Sequence, residues 1–491
     1  MKKIISVLLS LLLITTVAVF ASCSGNPIDK ASKTADSYVI VASYDEQAHV
    51  LSATQTVKMT NRSENSLNAL KFHIYANQYR EDAATPIVPA TYKAKAYPNG
   101  PSYGDITFDS VKVNDKAVAY VIEGQDLDIL SVPVDELFPD QSATVEMTYQ
   151  IQLANIAHRL GYTDNAVNLG NFYPVLARIE NGAYSCTPYY NIGDPFVNEL
   201  ANFDVTLTLP ENYLVAASGE LTEATNANGN ATYKYKANAL RDFAMVLSSK
   251  FQKLSQTVDG TQVNYYYFND DEAEASLATA VGALQYLSKN VGEYPYATYT
   301  VAETDFCYGG MEYGSLAMVT SGSQAYQEAI AHETAHQWFY GLIGNDQIAN
   351  AWMDEGLADF ATYMYMDSVG TAPLETSIKA VTKTYVSYVD VLNHYYDHVD
   401  TSFRSLDSYK NDNEYVVFTY VKGSLLFGTV YEIMGATKFN KALQEYYKTA
   451  TCCIATPQTL IDSFVKVGGA EIGKVFTDFI EGKEIVAQIM K

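Results

Sequence analysis

The sequence predicts a protein of two domains, in which an all-β half is followed by a half that mixes helices and strands. Three observations carry this prediction: the length, the spacing of apolar residues in each half, and a change of that spacing near residue 275. The chain has 491 residues, of which 48% are hydrophobic and 18% are charged. This length is sufficient for two to four domains, and this composition is typical of a chain that folds.

The first half is predicted to be a β domain because apolar and polar residues alternate along it. The clearest runs are residues 145–153 and 203–209. Strict alternation is typical of strands that bury one face. Stretches rich in Asn, Gly and Pro separate the runs and favour turns. We therefore expect residues 38–252 to form an antiparallel β domain.

The second half begins with a helical pattern. Leu277, Val281, Leu284 and Leu287 recur at helical spacing, and the Gly and Pro of residues 292–295 end that pattern. A strand is then expected at residues 299–302, a glycine-rich turn at residues 309–310, and long helices from residue 326 onward. The sequence thus predicts a second, α+β domain over residues 253–491.

The first 37 residues have the pattern of an export segment. Lys2 and Lys3 precede an apolar run that ends at Phe20, which predicts a signal peptide over residues 1–22. Residues 20–23 resemble the lipobox of bacterial lipoproteins. This resemblance implies a lipid on Cys23, attachment to the outer face of a bacterial cell membrane, and a tether over residues 23–37. Ordinary secretion is the alternative, and both place the protein outside the cytoplasm.

The charge argues against one class of partner. The chain has 32 basic and 56 acidic residues, a formal net charge of −24, and such a field repels the phosphate backbone of nucleic acids. We therefore expect no nucleic-acid partner. Besides Cys23 there are four cysteines, whose spacing matches no zinc site and does not determine their pairing, namely Cys186, Cys307, Cys452 and Cys453.

Residues 332–336, with the sequence His-Glu-Thr-Ala-His, predict a metal site. On a helix, positions i and i+4 share a face, so His332 and His336 can bind one ion while Glu333 points toward a water molecule on it. Glu355 follows after 18 intervening residues, which is enough for a second helix to return a carboxylate as third ligand. Two His, one Glu and an open fourth position are the donor set of a catalytic zinc site, whereas a structural site has four protein ligands.

Several motifs resemble, in the same order, those of the aminopeptidase N family of zinc metallopeptidases, the gluzincin aminopeptidases. The likeness extends over nearly the whole chain after the signal peptide. It implies a saddle-like β domain followed by a thermolysin-like zinc peptidase domain. The matching segments are residues 194–196, 219, 241–244, 309–313, 332–336, 355, 420–423 and 456–457.

The resemblance also implies one zinc ion per chain, peptide substrates and a chemical role for particular residues. His332, His336 and Glu355 would hold the zinc. Glu333 would act as the general base on water, and Tyr420 would donate a hydrogen bond to the oxyanion of the tetrahedral intermediate. These roles agree with the chemistry of each side chain.

Substrate binding would fall to a short segment of four residues, Gly309, Gly310, Met311 and Glu312. The family resemblance implies that Glu312 holds the free α-amine of a peptide, which would fix the first peptide bond over the metal. The family's usual Asn after this Glu is Tyr313 here. The chain also ends about 70 residues after Tyr420, without the large helical domain that follows in many relatives, which implies a more open cleft.

Two other functions stay open at this point. An open cleft is compatible with a zinc endopeptidase or a hydrolase of another bond. A catalytically silent protein that binds peptides or glycans is the alternative from another class, although such proteins usually lose a metal ligand or the base, and all of these residues are present here.

Five further residues have competing interpretations. Asp359, one helical turn after Glu355, can orient a zinc-bound imidazole or face solvent. Tyr415 can line the pocket, but core packing is the better prediction, and Cys307 is expected to be a buried thiol or a disulfide partner rather than a catalytic nucleophile. His394 and His398 are also four residues apart, but no Glu follows the first, so a helix surface is expected there.

Overall fold

The computed structural model describes residues 25–322, 325–395 and 403–482. The predicted signal peptide, the lipobox with Cys23 and His398 lie outside these ranges. No helix in the described parts combines the length and the apolar character that are needed to cross a membrane.

The helices are concentrated in the second half of the chain. Short 3-10 turns at Tyr75–Tyr79 and Leu406–Ser408 and a π-helical turn at Val417–Val421 accompany them. The α-helices are α1 Pro27–Ala31, α2 Lys93–Ala96, α3 Ala273–Asn290, α4 Tyr326–Ala335, α5 Gln347–Asn350, α6 Trp352–Ser368, α7 Leu374–Tyr395, α8 Asp412–Val416, α9 Lys422–Met434, α10 Ala436–Ala450, α11 Pro457–Gly468 and α12 Ala470–Ile480.

Most strands lie in the first half. They are β1 Asp36–Asp45, β2 Val50–Thr60, β3 Leu67–His73, β4 Asp105–Val113, β5 Lys116–Ala117, β6 Val121–Glu123, β7 Ile129–Leu137, β8 Ser142–Gln152, β9 Leu160–Tyr162, β10 Val167–Leu169, β11 Val175–Leu176, β12 Ile179–Glu180, β13 Ala183–Tyr184, β14 Ala201–Pro210, β15 Leu214–Ala217, β16 Glu220–Ala227, β17 Asn230–Leu240, β18 Met245–Ser248, β19 Gln252–Val258, β20 Thr261–Tyr267, β21 Thr298–Thr304, β22 Gly310–Met311, β23 Leu316–Thr320, β24 Gly344–Asn345 and β25 Ile454–Ala455.

The first half is a β domain built on an eight-stranded sheet in the order β16-β17-β14-β1-β2-β8-β4-β5. The alternation of residues 203–209 becomes β14, in which every second side chain is buried. Two four-stranded sheets and a two-stranded ribbon complete this half. The expectation of a purely antiparallel domain is wrong at one place, because β1 and β14 pair in parallel, with Ile40 opposite Val205.

The second half begins with a five-stranded sheet in the order β19-β20-β21-β23-β22, whose first strand starts at Gln252. Central strand β21 is buried at all seven positions, although four of its residues are Thr or Glu. Helix α3 lies between β20 and β21 in the chain, and α4 to α12 come after β23. Helix α11 begins as expected with Thr456 as N-cap and Pro457 in the first turn. The resulting architecture, a β-rich domain followed by an α+β domain, confirms the predicted fold class.

A buried arginine joins the two halves. Arg241, at the end of β17, is 3% exposed. Its guanidinium donates to Asn198 O at 2.7 Å, Tyr340 O at 2.8 Å and Cys453 O at 3.3 Å. One side chain therefore connects the β domain to the turn after α4 and to the segment before β25.

The segment predicted as a tether differs from that expectation from Asn26 onward. The Asn26 side chain caps α1 and also donates to Pro295 O at 2.8 Å. Ile28 of α1 is 5% exposed and belongs to the core of the second half. A free tether would bury nothing, whereas this segment removes an apolar side chain from water, which is the physical reason for the difference.

Candidate zinc-peptidase active site

The three predicted metal ligands converge on one point. Helix α4 carries His332, His336 follows it in helical conformation as the C-cap residue, and α6 supplies Glu355. The two His Nε2 atoms are 3.0 Å apart. Glu355 Oε2 lies 3.0 Å from His336 Nε2 and 3.2 Å from His332 Nε2. The spacing read from the sequence thus gives one compact group of two nitrogens and one oxygen.

Both imidazole rings are oriented by oxygen atoms that lie next to their Nδ1 atoms. Asp359 Oδ1 lies 3.0 Å from His332 Nδ1, and the backbone carbonyl of Phe339 lies 2.9 Å from His336 Nδ1. These contacts place a proton on each Nδ1 and leave each Nε2 lone pair for a metal, which is the usual arrangement around zinc-bound His. Of the two interpretations of Asp359, the orienting one therefore describes its position.

The donor set fits zinc. Ligands at about 2.0–2.1 Å from one tetrahedral ion lie about 3.3 Å from one another, close to the 3.0–3.2 Å separations observed here. Two neutral imidazole nitrogens and one carboxylate oxygen are also the donors that a catalytic zinc ion prefers. Within the described residues these three ligands leave one tetrahedral position for water or substrate.

Glu333 lies beside this group in a space that a glycine provides. It is 5% exposed, and its Oε2 has no hydrogen-bond partner among the described residues. A Cβ on Gly310 would lie only 2.2 Å from Glu333 Oε1, so any larger residue there would displace the carboxylate. Burial raises the pKa of Glu333 to about 7. A carboxyl group with a free oxygen and such a pKa is suited to accept a proton near neutral pH.

Tyr420 reaches the same site from the π-helical turn. Its hydroxyl donates to Glu355 Oε1 at 2.5 Å. The turn is followed by α9, which crosses α6 so closely that a Cβ on Gly423 would lie 2.8 Å from the Gly356 Cα. Two glycines therefore set the distance between the helix that carries Glu355 and the segment that carries Tyr420.

Glu312 lies at the His336 end of the site and is 3% exposed. Its Oε1 accepts a hydrogen bond from Gln347 Nε2 at 2.9 Å. Carboxyl oxygens of Glu312, Asp194 and Glu355 all lie within 4.8 Å of one another. Burial, together with the nearby Asp194 carboxylate, raises the pKa of Glu312 well above its usual range. Carboxyl groups this close to one another favour a bound cation.

Asp194 is the residue that the sequence analysis missed at this site. It lies in the loop between β13 and β14, and its Oδ1 is bound by the guanidinium of Arg159. Arg159 also donates to Gly193 O at 3.1 Å. The sequence offered only a family match at residues 194–196, and nothing local to that loop indicates that it reaches a site formed by α4 and α6.

Met311 of the substrate segment and Tyr313, which follows this segment, point away from the site. Met311 is 1% exposed and packs in the core, with its Sδ 3.2 Å from Arg159 Nε. Strand alternation turns the Met311 side chain away from Gly310 and Glu312. Contrary to the expectation, this side chain therefore does not line the cavity. Tyr313 is fully buried, and its hydroxyl donates to Asn171 Oδ1 at 3.0 Å. The Tyr that replaces the family Asn therefore contacts the β domain and does not line the cavity.

A cavity of about 490 Å³ unites the site, and it is lined by Gly309, Gly310, Glu312 and the residues around the metal ligands. Tyr415 also lines this cavity, and its buried hydroxyl has no partner among the described residues; the expectation of core packing alone is incomplete. Cys307 is buried outside the cavity lining, and His394 is exposed on α7. Cys186, Cys307, Cys452 and Cys453 are free thiols.

Comparison with known proteins agrees with this geometry. The peptidase family M1 domain matches residues 276–479. Aminopeptidase M1-D of Oryza sativa subsp. japonica is 24% identical over 56% of this chain and 34% of its own length. Aminopeptidase M1 of Arabidopsis thaliana is 24% identical over 58% of this chain and 34% of its own length. The chain thus spans about a third of the length of these curated relatives.

The whole chain has the fold of a solved peptidase. An M1 zinc metallopeptidase from Deinococcus radiodurans matches with a TM-score of 0.68 at 17% identity, over 92% of this chain and 95% of that one. A mutant of that enzyme bound to a Tyr-Ser-Ala substrate matches with a TM-score of 0.65 at 16% identity over the same shares. The catalytic half of the chain thus matches the peptidase family M1 domain, and the chain as a whole shares the fold of this solved zinc metallopeptidase.

Proposed function

We propose that the protein is a zinc-dependent aminopeptidase that removes N-terminal residues from peptides outside the cytoplasm. The observation that carries this proposal is the position of the buried Glu312 beside the ligand set of His332, His336 and Glu355. A catalytic metal site next to a buried carboxylate is suited to cleave a bond that lies close to a positively charged group of the substrate.

Each step of peptide hydrolysis has a residue suited to it. Zinc held by the three ligands would act as a Lewis acid and lower the pKa of water toward about 7. Glu333 would accept the proton of the attacking water at its unpartnered oxygen and pass it to the leaving nitrogen. Burial raises the pKa of Tyr420 well above its usual range, so its phenol stays protonated and can donate a hydrogen bond to the oxyanion.

The end of the cavity that is lined by Glu312 and Asp194 supports exopeptidase action. Glu312 and Asp194 are 3% and 8% exposed, so a continuous peptide has little room to pass them. An ammonium group in the same place would donate charge-assisted hydrogen bonds to two carboxylates. Arg159 occupies Oδ1 of Asp194 and holds this carboxylate toward the cavity. This geometry favours an aminopeptidase over the endopeptidase alternative.

The location outside the cytoplasm and a lipid on Cys23 are supported by the sequence of residues 1–23 alone. A lipid on Cys23 would keep the protein at the outer face of a bacterial cell membrane. Expression with Cys23→Ser and metabolic labelling with a fatty acid test this part. We expect label and membrane association in the unmodified protein and neither in the variant; a soluble, unlabelled protein in both cases would support secretion instead.

Product analysis with an unblocked hexapeptide tests the proposed activity. We expect single residues to be released in order from the N-terminus, a loss of activity with a chelator, and recovery with zinc. Glu333→Gln should keep zinc but lower kcat by about a hundredfold or more, because an amide cannot accept the proton of water. Internal fragments would favour the endopeptidase, and binding without turnover would favour the silent binding protein.

A further inference from the structure

One face of α4 determines the order in which residues follow one another along the active-site cleft. Glu328, His332 and His336 are four residues apart and share this face. Since a helix rises 1.5 Å per residue, they follow one another at about 6 Å intervals along its axis. Glu312 approaches His336, while Glu328 lies one turn beyond His332. The order along the cleft is therefore Glu312, the metal ligands and then Glu328.

This order assigns a place to each part of a peptide. If its ammonium lies at Glu312, its first carbonyl faces the metal ligands, as the proposed function requires. The residue after the scissile bond must then extend along α4 toward Glu328. A peptide residue spans about 3.3–3.6 Å, so that side chain comes within reach of a carboxylate one helical turn beyond His332.

The cleft continues in that direction. A neighbouring cavity of about 450 Å³ shares three lining residues with the active-site cavity, namely Ala325, Glu328 and Tyr363. Its described lining also contains Asp270, Glu272 and Glu303 but neither Lys nor Arg. In the active-site cavity the described lining has a single such residue, Arg159, which Asp194 already engages at the opposite end.

Glu328 differs from Asp359 and Glu303 because its carboxylate is available. Asp359 binds His332 and also accepts a hydrogen bond from Tyr363 at 3.4 Å. Glu303 accepts from the backbone N–H groups of Phe268 and Asn269. Glu328 is exposed to the cleft and forms no ion pair with the described residues. The buried, unpartnered Oε2 of Glu333 lines the same cleft on the metal-ligand side of Glu328.

We propose that Glu328 lines the subsite for the residue that follows the scissile bond and selects a basic side chain there. The proposal rests on the aminopeptidase function, because that function fixes the direction of the peptide. A Lys or Arg side chain would pair with the free carboxylate of Glu328. An acidic side chain would meet this carboxylate and the acidic wall beyond it without a compensating cation.

Binding measurements test the proposal without relying on turnover. The zinc-loaded Glu333→Gln variant serves as parent, and calorimetry gives the Kd of Ala-Lys-Ala and Ala-Glu-Ala. We expect Ala-Lys-Ala to bind more tightly, and adding Glu328→Gln should lower the ratio of the two Kd values by about threefold or more. Glu328→Lys should reverse the preference. Glu274→Gln, an equal change of charge at an exposed position of α3 outside both cavities, should leave the ratio unchanged.

The position of the charge in the peptide is the second arm of the test. For Lys-Ala-Ala and Glu-Ala-Ala, Glu328→Gln should change the ratio little, because the first side chain lies on the other side of the metal. Equal Kd values in the parent, a ratio insensitive to Glu328, an equal effect at the first position, or no binding of either peptide at millimolar concentration would overturn the proposal. A clear preference in a protein that releases no N-terminal residue would instead refute the proposed function alone.

Discussion

At the scale of single residues, the zinc site depends on the groups that orient the two imidazoles. Asp359 holds His332 by Nδ1 at 3.0 Å, and its loss would free the ring and lower its basicity. We predict that Asp359→Asn weakens zinc binding by about 10- to 100-fold. Competition with a chromogenic chelator measures this affinity. Asp271→Asn, at an exposed position before α3, is the matched control, and equal zinc affinity in both variants would exclude the orienting role of Asp359.

The positions of some residues of the site could be predicted from the sequence, and those of others could not. His332, Glu333 and His336 could be placed because a helix fixes their mutual geometry within one turn. Met311 could not, because a two-residue strand offers no pattern from which to read which face is buried. Asp194 could not be placed either, because it reaches the cavity from the loop between β13 and β14. The sequence around it does not indicate that the tertiary structure brings this loop to the metal ligands.

At the scale of secondary structure elements, the crossing of α6 and α9 brings Glu355 and Tyr420 together. We predict that Gly423→Ala forces the two helices apart, because its Cβ would meet the Gly356 Cα at 2.8 Å. The free energy of unfolding should fall by about 1–3 kcal/mol, and kcat should fall more than the affinity for substrate, because Tyr420 moves away from the site.

Denaturant unfolding and steady-state kinetics check this prediction together. Gly25→Ala is a suitable control, because a Cβ there meets nothing within 4 Å. A Gly423→Ala variant with the stability and kcat of the parent would mean that the helices can separate without moving Tyr420.

The elements themselves were predictable where their pattern is long. The alternation in β8 and β14 and the helical spacing in α3 gave the correct element types, and the Thr456-Pro457 cap gave the start of α11. The parallel pairing of β1 with β14 was not predictable, because alternation is the same in parallel and antiparallel strands when one face is exposed. The π-helical turn at Val417–Val421 has no sequence pattern of its own.

At the scale of the whole molecule, the active site requires both halves, since Asp194 and Arg159 belong to one and the metal ligands to the other. Arg241 joins these halves through the backbone carbonyls of Tyr340 and Cys453 in the second half, and it also donates to that of Asn198 in the first. We predict that Arg241→Ala lowers the free energy of unfolding by about 3 kcal/mol, because it leaves buried acceptors unpaired. Arg62→Ala removes an ion pair with Asp36 in which the Arg62 side chain is 47% exposed, and it should change the free energy of unfolding by only about 1 kcal/mol.

Urea unfolding of both arginine variants measures the difference. Arg241→Lys should recover part of the loss, because an ammonium group can reach some of the three carbonyls but not all of them. If Arg241→Ala were as stable as Arg62→Ala, the connection between the halves would have to lie elsewhere in their interface.

An aminopeptidase function depends on the recognition of a free N-terminus by Glu312. The most direct test compares kcat/KM for a peptide and its N-acetylated form in the parent and in Glu312→Gln. We predict that acetylation lowers kcat/KM of the parent by about thirtyfold or more, as expected for the loss of a buried charge pair of about 2 kcal/mol or more. Glu312→Gln should lower kcat/KM for the free peptide and largely remove the difference between the free and the acetylated peptide. Equal rates for both peptides, with no effect of Glu312→Gln, would contradict the aminopeptidase assignment.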